Sequence, residues 1–244
     1  MGIFVVLEGL DASGKTTVIR KLEDSLAKWN VYTIVKRSFF EVSDNLCHGN
    51  AQVHDFQLKL NELTWQQEAE KLLWFIPVNT FGYLHAAWYE MLYSNFILNA
   101  KKEYDIILVD GWWYKVFARI MVTSNQHYKN VKALTPYLPS GDLTFFLNVD
   151  PKVAWGRRNG QFNKYELGLL NDSVGYETKI ASPLQQFISF QEKTKKNIYE
   201  ILPNDFIQIE TSNISIEQVA KSISEKIIKA FQTHEEVQDK YIRI

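Results

Sequence analysis

The sequence predicts an α/β protein with a parallel sheet of about five strands and helices on both faces. Short apolar, β-branched runs recur at Ile3 to Leu7, Val31 to Val35, Asp105 to Val109, Leu143 to Val149 and Phe206 to Ile209, the pattern of strands buried on both sides. Stretches of helical period separate them, the alternation by which parallel strands are connected. Directly behind the first run, residues 8–17 read Glu-Gly-Leu-Asp-Ala-Ser-Gly-Lys-Thr-Thr, which fits G-x-x-x-x-G-K-[ST] completely.

Each element follows from local spacing. Val18, Leu22, Leu26 and Trp29 form one apolar stripe and predict a helix from about Lys15 to Trp29. Residues 41–61 are polar and poorly periodic, and read as loop. A helical pattern resumes from Trp65 to Phe75, and Pro77 should end or kink it. Leu84, Trp88, Leu92 and Phe96 recur every four residues and predict a helix from Asn79 to Lys101, its aromatics facing the core. A helix follows each of the strands that close at Asp110 and Asp150. A polar stretch from Asn159 to Ser182, a helix from Leu184 to Ile201, and a last helix from Ile216 to Phe231 complete the chain. One domain over residues 1–231 and a frayed, charged tail over 232–244 are expected.

The glycine-bearing motif points to phosphate. Glycines let the backbone wrap so that N–H groups face phosphate oxygens, and the next helix adds the positive end of its dipole. Residues Ala12, Ser13, Gly14, Lys15, Thr16 and Thr17 are therefore expected to hold a nucleoside triphosphate, with Lys15 on the outer phosphates and Thr16 on magnesium. The bulk numbers narrow the partners. With 28 acidic and 27 basic residues the net charge is −1, which gives no footprint for nucleic acid or an acidic membrane surface. Cys47 is the only cysteine, so an internal disulfide and cysteine-rich zinc frameworks are excluded. No run reaches the roughly 20 apolar residues of a membrane span, and a soluble, cytoplasmic protein is expected.

Over most of its length the chain resembles the thymidylate kinases, nucleoside monophosphate kinases of P-loop NTPase type. The resemblance rests on Val6-Leu7-Glu8-Gly9-Leu10-Asp11-Ala12-Ser13-Gly14-Lys15-Thr16-Thr17, on Leu72-Leu73-Trp74-Phe75, and on Arg157-Arg158 with Lys164-Tyr165-Glu166. It implies an ATP- and Mg2+-dependent phosphotransferase that converts dTMP to dTDP, with a homodimer as the assembly. Asp11 would hold a hydroxyl of the acceptor sugar, or else make an Asx turn within its loop. Asp110 would orient magnesium, or cap the helix behind it. Arg37 would clamp the acceptor phosphate, or sit solvated at a strand end. Phe75 would stack on the base, or pack in the core. Arg157, Arg158 and Lys164 would be the cations of a mobile lid over about 156–182, or a solvated charge cluster. Asp150 precedes Pro151 and is accounted for as a helix cap.

Two positions depart from the family pattern. Asp110 is followed by Gly111 where the family has arginine, and either Lys115 or Arg119, within about two and a half turns, is expected to replace that charge. Asn79 stands where the family has a base-reading arginine, so the acceptor base remains open. Residues 169–186 look like an insertion beside the lid. The alternatives are a kinase of the same fold with another acceptor, or a nucleotide-binding module without transfer activity.

Overall fold

The computed structural model describes residues 1–35, 51–65, 77–168 and 182–242, with side chains to residue 234. Among these residues five strands form one parallel sheet in the order β2-β3-β1-β4-β5. They are β1 (Ile3–Gly9), β2 (Val31–Ile34), β3 (Ile106–Asp110), β4 (Leu143–Asn148) and β5 (Ile207–Glu210). β1 is central, with Leu7 beside Asp110 of β3 and Gly9 beside Leu147 of β4. All seven residues of β1 are buried, as an interior parallel strand requires.

Side chains of period two divide the core into two layers. Phe4 and Val6 of β1 face one way with Ile107, Val109 and Phe146, against α3 (Val78–Leu92), α5 (Trp113–Thr123) and α8 (Pro183–Tyr199). Val5 and Leu7 face the other way with Leu108, Phe145 and Leu147, against α1 (Lys15–Ser25) and α9 (Ile216–Ile242). The carboxyl ends of β1 and β3 open between these layers, where open α/β sheets bind their ligands.

Several elements differ from expectation. Residues 51–65, read as loop to residue 61, form the helix α2 (Ala51–Trp65). Its buried residues are Gln57, Leu60, Asn61 and Thr64, while Phe56 and Leu63 are exposed. A polar buried stripe leaves no apolar period to read. The helix expected from Asn79 begins after Pro77, runs through α3, passes a π-helical turn at Tyr93–Ile97 and finishes as α4 (Leu98–Glu103). α1 is shorter than expected, ending at Ser25. The last helix is longer: α9 continues to Ile242 through the charged segment expected to fray. The pattern over residues 66–75, and with it Phe75, lies outside the described residues, as do Arg37 and residues 169–181. α6 (Asn125–Leu134) and α7 (Pro151–Arg157) complete the element order.

Candidate active site

The helix α1 begins without a side chain on its end. Its N-cap is Gly14, whose φ of 94° favours glycine, and neither a capping side chain nor an acidic first-turn residue competes for its free amides. Some other helices are closed by side chains, though α3 behind Pro77 is not. Asp150 accepts from Lys152 N and Val153 N at the start of α7, so the cap expected there is present, and Ser182 and Gln185 make a capping box on α8. The bare end of α1 has the chemistry that suits an anion. Gly9 is required for a different reason: a Cβ there would stand 2.7 Å from Leu147 O and 2.8 Å from Ser13 Oγ.

Lys15 folds back over this loop. Its Nζ donates to Gly9 O at 2.8 Å, Leu10 O at 3.0 Å and Ser13 Oγ at 3.3 Å. Burial, reinforced by the Lys115 charge, pushes its pKa down to about 7 against the opposing pull of Asp110, Glu8 and Asp11. At the next residue, Thr16 Oγ1 donates to Asp110 Oδ2 at 2.5 Å, so the glycine-bearing loop and the end of β3 meet. A hydroxyl and a carboxylate are hard oxygen donors that fit magnesium. Among the described residues no group of three or more His, Cys, Asp or Glu gathers to form an all-protein metal cage, and magnesium at such sites takes phosphate and water oxygens instead.

Asp11 is buried and, among the described residues, bound by three side chains. Arg119 and Gln191 donate to its Oδ2, Gln191 at 2.9 Å, and Lys115 donates to its Oδ1 at 3.1 Å. Burial works against its charge, but Arg119, Lys115 and Lys15 outweigh it and hold the carboxyl far below the usual carboxylate range. Burial likewise opposes the charge on Lys115 and Arg119, and the pKa of each is nonetheless raised, by Asp11 together with Glu8 for Lys115 and by Asp11 together with Tyr165 and Glu166 for Arg119. Lys115 and Arg119 are four apart and share one face of α5. Glu8 fixes that helix in place: its carboxylate accepts from Gly9 N at 2.9 Å, Trp112 N at 3.2 Å and Lys115 N at 3.4 Å, and so caps α5 from the neighbouring strand. Gly111, at φ 83°, makes the turn between β3 and α5. A side chain there would be strained.

A cleft of about 330 Å³ joins these groups. It is lined by Glu8, Asp11, Ala12, Lys15, Thr16, Asp110 and Gly111, by Trp112, Lys115, Val116 and Arg119, and by Trp65, Tyr89, Arg158, Tyr165 and Glu166. Of the expected residues, Asp11, Ala12, Lys15, Thr16, Asp110 and Arg158 meet there. Ser13 is buried within the loop, and Thr17 is exposed on α1. Arg158 Nη1 donates to Glu166 Oε1 at 2.6 Å and its guanidinium lies 4.5 Å from the Phe162 ring centre. Arg157 donates to Ala12 O at 3.0 Å and to Thr211 O, which clips the phosphate loop to the segment after β5. Lys164 is exposed and does not line the cleft. Asn79 also stands outside the lining, its Oδ1 accepting from Asn130 of α6 at 3.1 Å.

Sequence reasoning missed Glu8, Trp65, Tyr89, Tyr165 and Gln191 as site groups. Gln191 carried a readable signal: it is a polar residue in the buried stripe Phe187, Phe190, Gln191, Thr194, Ile198 of α8. A polar side chain on such a face needs a partner.

No protein-family model matches the chain. It is 22% identical over 228 residues to a probable thymidylate kinase of Metallosphaera sedula, covering 93% of this chain and 97% of that protein. To the thymidylate kinase of Clostridium novyi it is 23% identical over 209 residues, covering 83% and 91%. The solved structure of the Candida albicans thymidylate kinase aligns with a TM-score of 0.59 at 18% identity, covering 94% of this chain and 93% of that one. That likeness establishes the fold.

Proposed function

We infer that this chain is a phosphotransferase of the thymidylate kinase family, passing the γ-phosphoryl group of ATP to dTMP. The observation that carries the reading is a single cleft that gathers an uncapped helix N-terminus, Lys15 and the Thr16–Asp110 pair with Asp11, Lys115 and Arg119. The first set suits donor phosphates, and the second suits a polar, anionic acceptor beside them. The amides of residues 12–17 and the Lys15 ammonium hold the β- and γ-phosphates of ATP. Thr16 and Asp110 would hold Mg2+, which when bound neutralises charge on the donor. In the transfer, the bond from the γ-phosphorus to the oxygen bridging it to the β-phosphorus breaks, and ADP keeps that electron pair. An oxygen of the acceptor phosphate forms the new bond. Positioning and charge neutralisation supply the rate, with little covalent work for the protein. Arg158, with Arg157 and Lys164 nearby, belongs to the lid, Arg37 and Phe75 to the acceptor side, and action in the cytoplasm as a homodimer completes the proposal.

A kinase of the same fold with a different acceptor is the second reading. Asn79 favours it, being bonded to Asn130 rather than lining the cleft. A coupled ADP-release assay over a panel of nucleoside monophosphates separates the two. Turnover strongest with dTMP supports the first reading, turnover confined to other acceptors the second, and ATP binding without any transfer contradicts both.

The pKa of Lys15 makes a further prediction. Phosphate anions favour the charged ammonium, whereas the free site holds it near half-protonation at neutral pH. Binding of ATP above pH 7 must therefore take up a proton, and affinity falls by up to about tenfold per pH unit as the free lysine discharges. Calorimetry at pH 8 in buffers of different ionisation enthalpy measures that uptake directly. Equal heats in all buffers would show Lys15 already charged in the free protein.

A further inference from the structure

We propose that Lys115 gates Asp11: it closes on the carboxylate in the free protein and passes to the acceptor's phosphate when that arrives, opening Asp11 to a hydroxyl of the same acceptor. This rests on reading the cleft as a monophosphate kinase site. It adds a rule of selection, that recognition of the hydroxyl is conditional on the phosphate.

The two cations on Asp11 are not equivalent. Arg119 is held in a cage: its side chain is 4% exposed, it pairs with Oδ2, and its guanidinium lies 4.6 Å from the Tyr165 ring centre and 5.7 Å from that of Phe190. Gln191 shares Oδ2. Among the described residues Lys115 alone holds Oδ1, at 3.1 Å, and is three times as exposed at 12%. An ammonium on a four-carbon stem also moves more freely than a stacked planar guanidinium.

The charges around Lys115 have other commitments. Glu8 accepts hydrogen bonds from three backbone amides, Asp110 from Thr16, and Glu166 from Arg158, while Lys15 donates to loop oxygens. Among the described residues lining the cleft, Lys115 and Arg119 thus share one carboxylate, and Lys115 is the less buried of the two. If it leaves, Asp11 stays neutralised by Arg119 and no unpaired charge is buried. A phosphate dianion offers Lys115 a stronger partner than a half-shared carboxylate. An acceptor without phosphate offers nothing in exchange and meets Oδ1 already occupied.

The test is calorimetric titration of dTMP and of thymidine into the full chain, its Lys115→Met variant and its Lys115→Arg variant, with ATP affinity measured on each. The gate predicts that Lys115→Met weakens dTMP on the order of 50-fold while thymidine binds as well or more tightly, since Oδ1 is uncovered. ATP affinity should stay within a few-fold, and Lys115→Arg should recover most of the dTMP affinity. If the Met variant does not fold, Lys115→Gln keeps a donor to Oδ1 without the charge and must show the same loss for dTMP. Unchanged dTMP affinity, or equal weakening of dTMP and thymidine, overturns the gate and leaves the kinase reading standing. Wild-type protein that binds ATP but no monophosphate overturns both.

Discussion

Lys15→Met is expected to lower the rate of phosphoryl transfer by ~10³-fold while the protein remains folded. The expectation follows from what Lys15 touches. In the free protein its ammonium bonds two backbone carbonyls and one hydroxyl of its own loop, so its loss removes no long-range hydrogen bond among the described residues. Far-ultraviolet circular dichroism and the melting temperature should therefore barely change. The catalytic loss is large because the ammonium is the one cation among residues 9–17, where the triphosphate must sit. Charge that moves onto the β-phosphate as the γ-phosphoryl departs is met there in a site partly shielded from water, where such a contact is worth far more than at a surface. Single-turnover kinetics with ATP and dTMP distinguish this from a binding defect. A variant that transfers within tenfold of wild type would show that Lys15 has no part in the transition state.

Asp11→Ala is expected to produce the largest loss of stability from a single change in the cleft. Truncation leaves Arg119, Lys115 and the Gln191 amide around a void where the carboxylate stood. Breaking a buried pair from one side costs about 3–5 kcal/mol, equivalent in a domain of this size to a fall in melting temperature of roughly 6–20 °C. The double variant Asp11→Ala with Lys115→Met should regain part of that loss, because one stranded cation is removed with the carboxylate. Thermal melts of the wild type and the three variants form a complete cycle. Additive effects within about 0.5 kcal/mol would show that Asp11 and Lys115 do not interact.

How much of this was legible in the sequence depended on whether a local pattern carried it. The strands were readable because a sheet buried on both faces demands uninterrupted apolar runs, and the observed β1, β3 and β4 match them within a residue or two. The turn from β1 into α1 was readable because its glycine-bearing motif lies in one contiguous stretch. Asp150 was correctly assigned as a cap because Pro151 beside it explains it locally. α2 was missed for a physical reason: it buries Gln57, Asn61 and Thr64 and exposes Phe56 and Leu63, the inverse of the pattern by which a helix announces itself. The surroundings of Asp11 were only half legible. That Lys115 or Arg119 would stand in for an arginine at Gly111 followed from helical reach, and both do line the cleft. That they converge on Asp11 with Gln191, 180 positions away, depends on how α8 packs beside α5, which no local spacing records. The caging of Arg119 by Tyr165 and Phe190 belongs to the same class of information.

The central claim is that this cleft moves the γ-phosphoryl of ATP onto the phosphate of a nucleotide. Phosphorus-31 magnetic resonance of the purified protein with ATP, dTMP and Mg2+ follows every phosphorus atom at once. The account predicts that ATP and dTMP signals fall together while those of ADP and dTDP rise in equal amounts, with no inorganic phosphate formed. Spectra that remain those of ATP and dTMP, or ADP that appears only with inorganic phosphate, would contradict it.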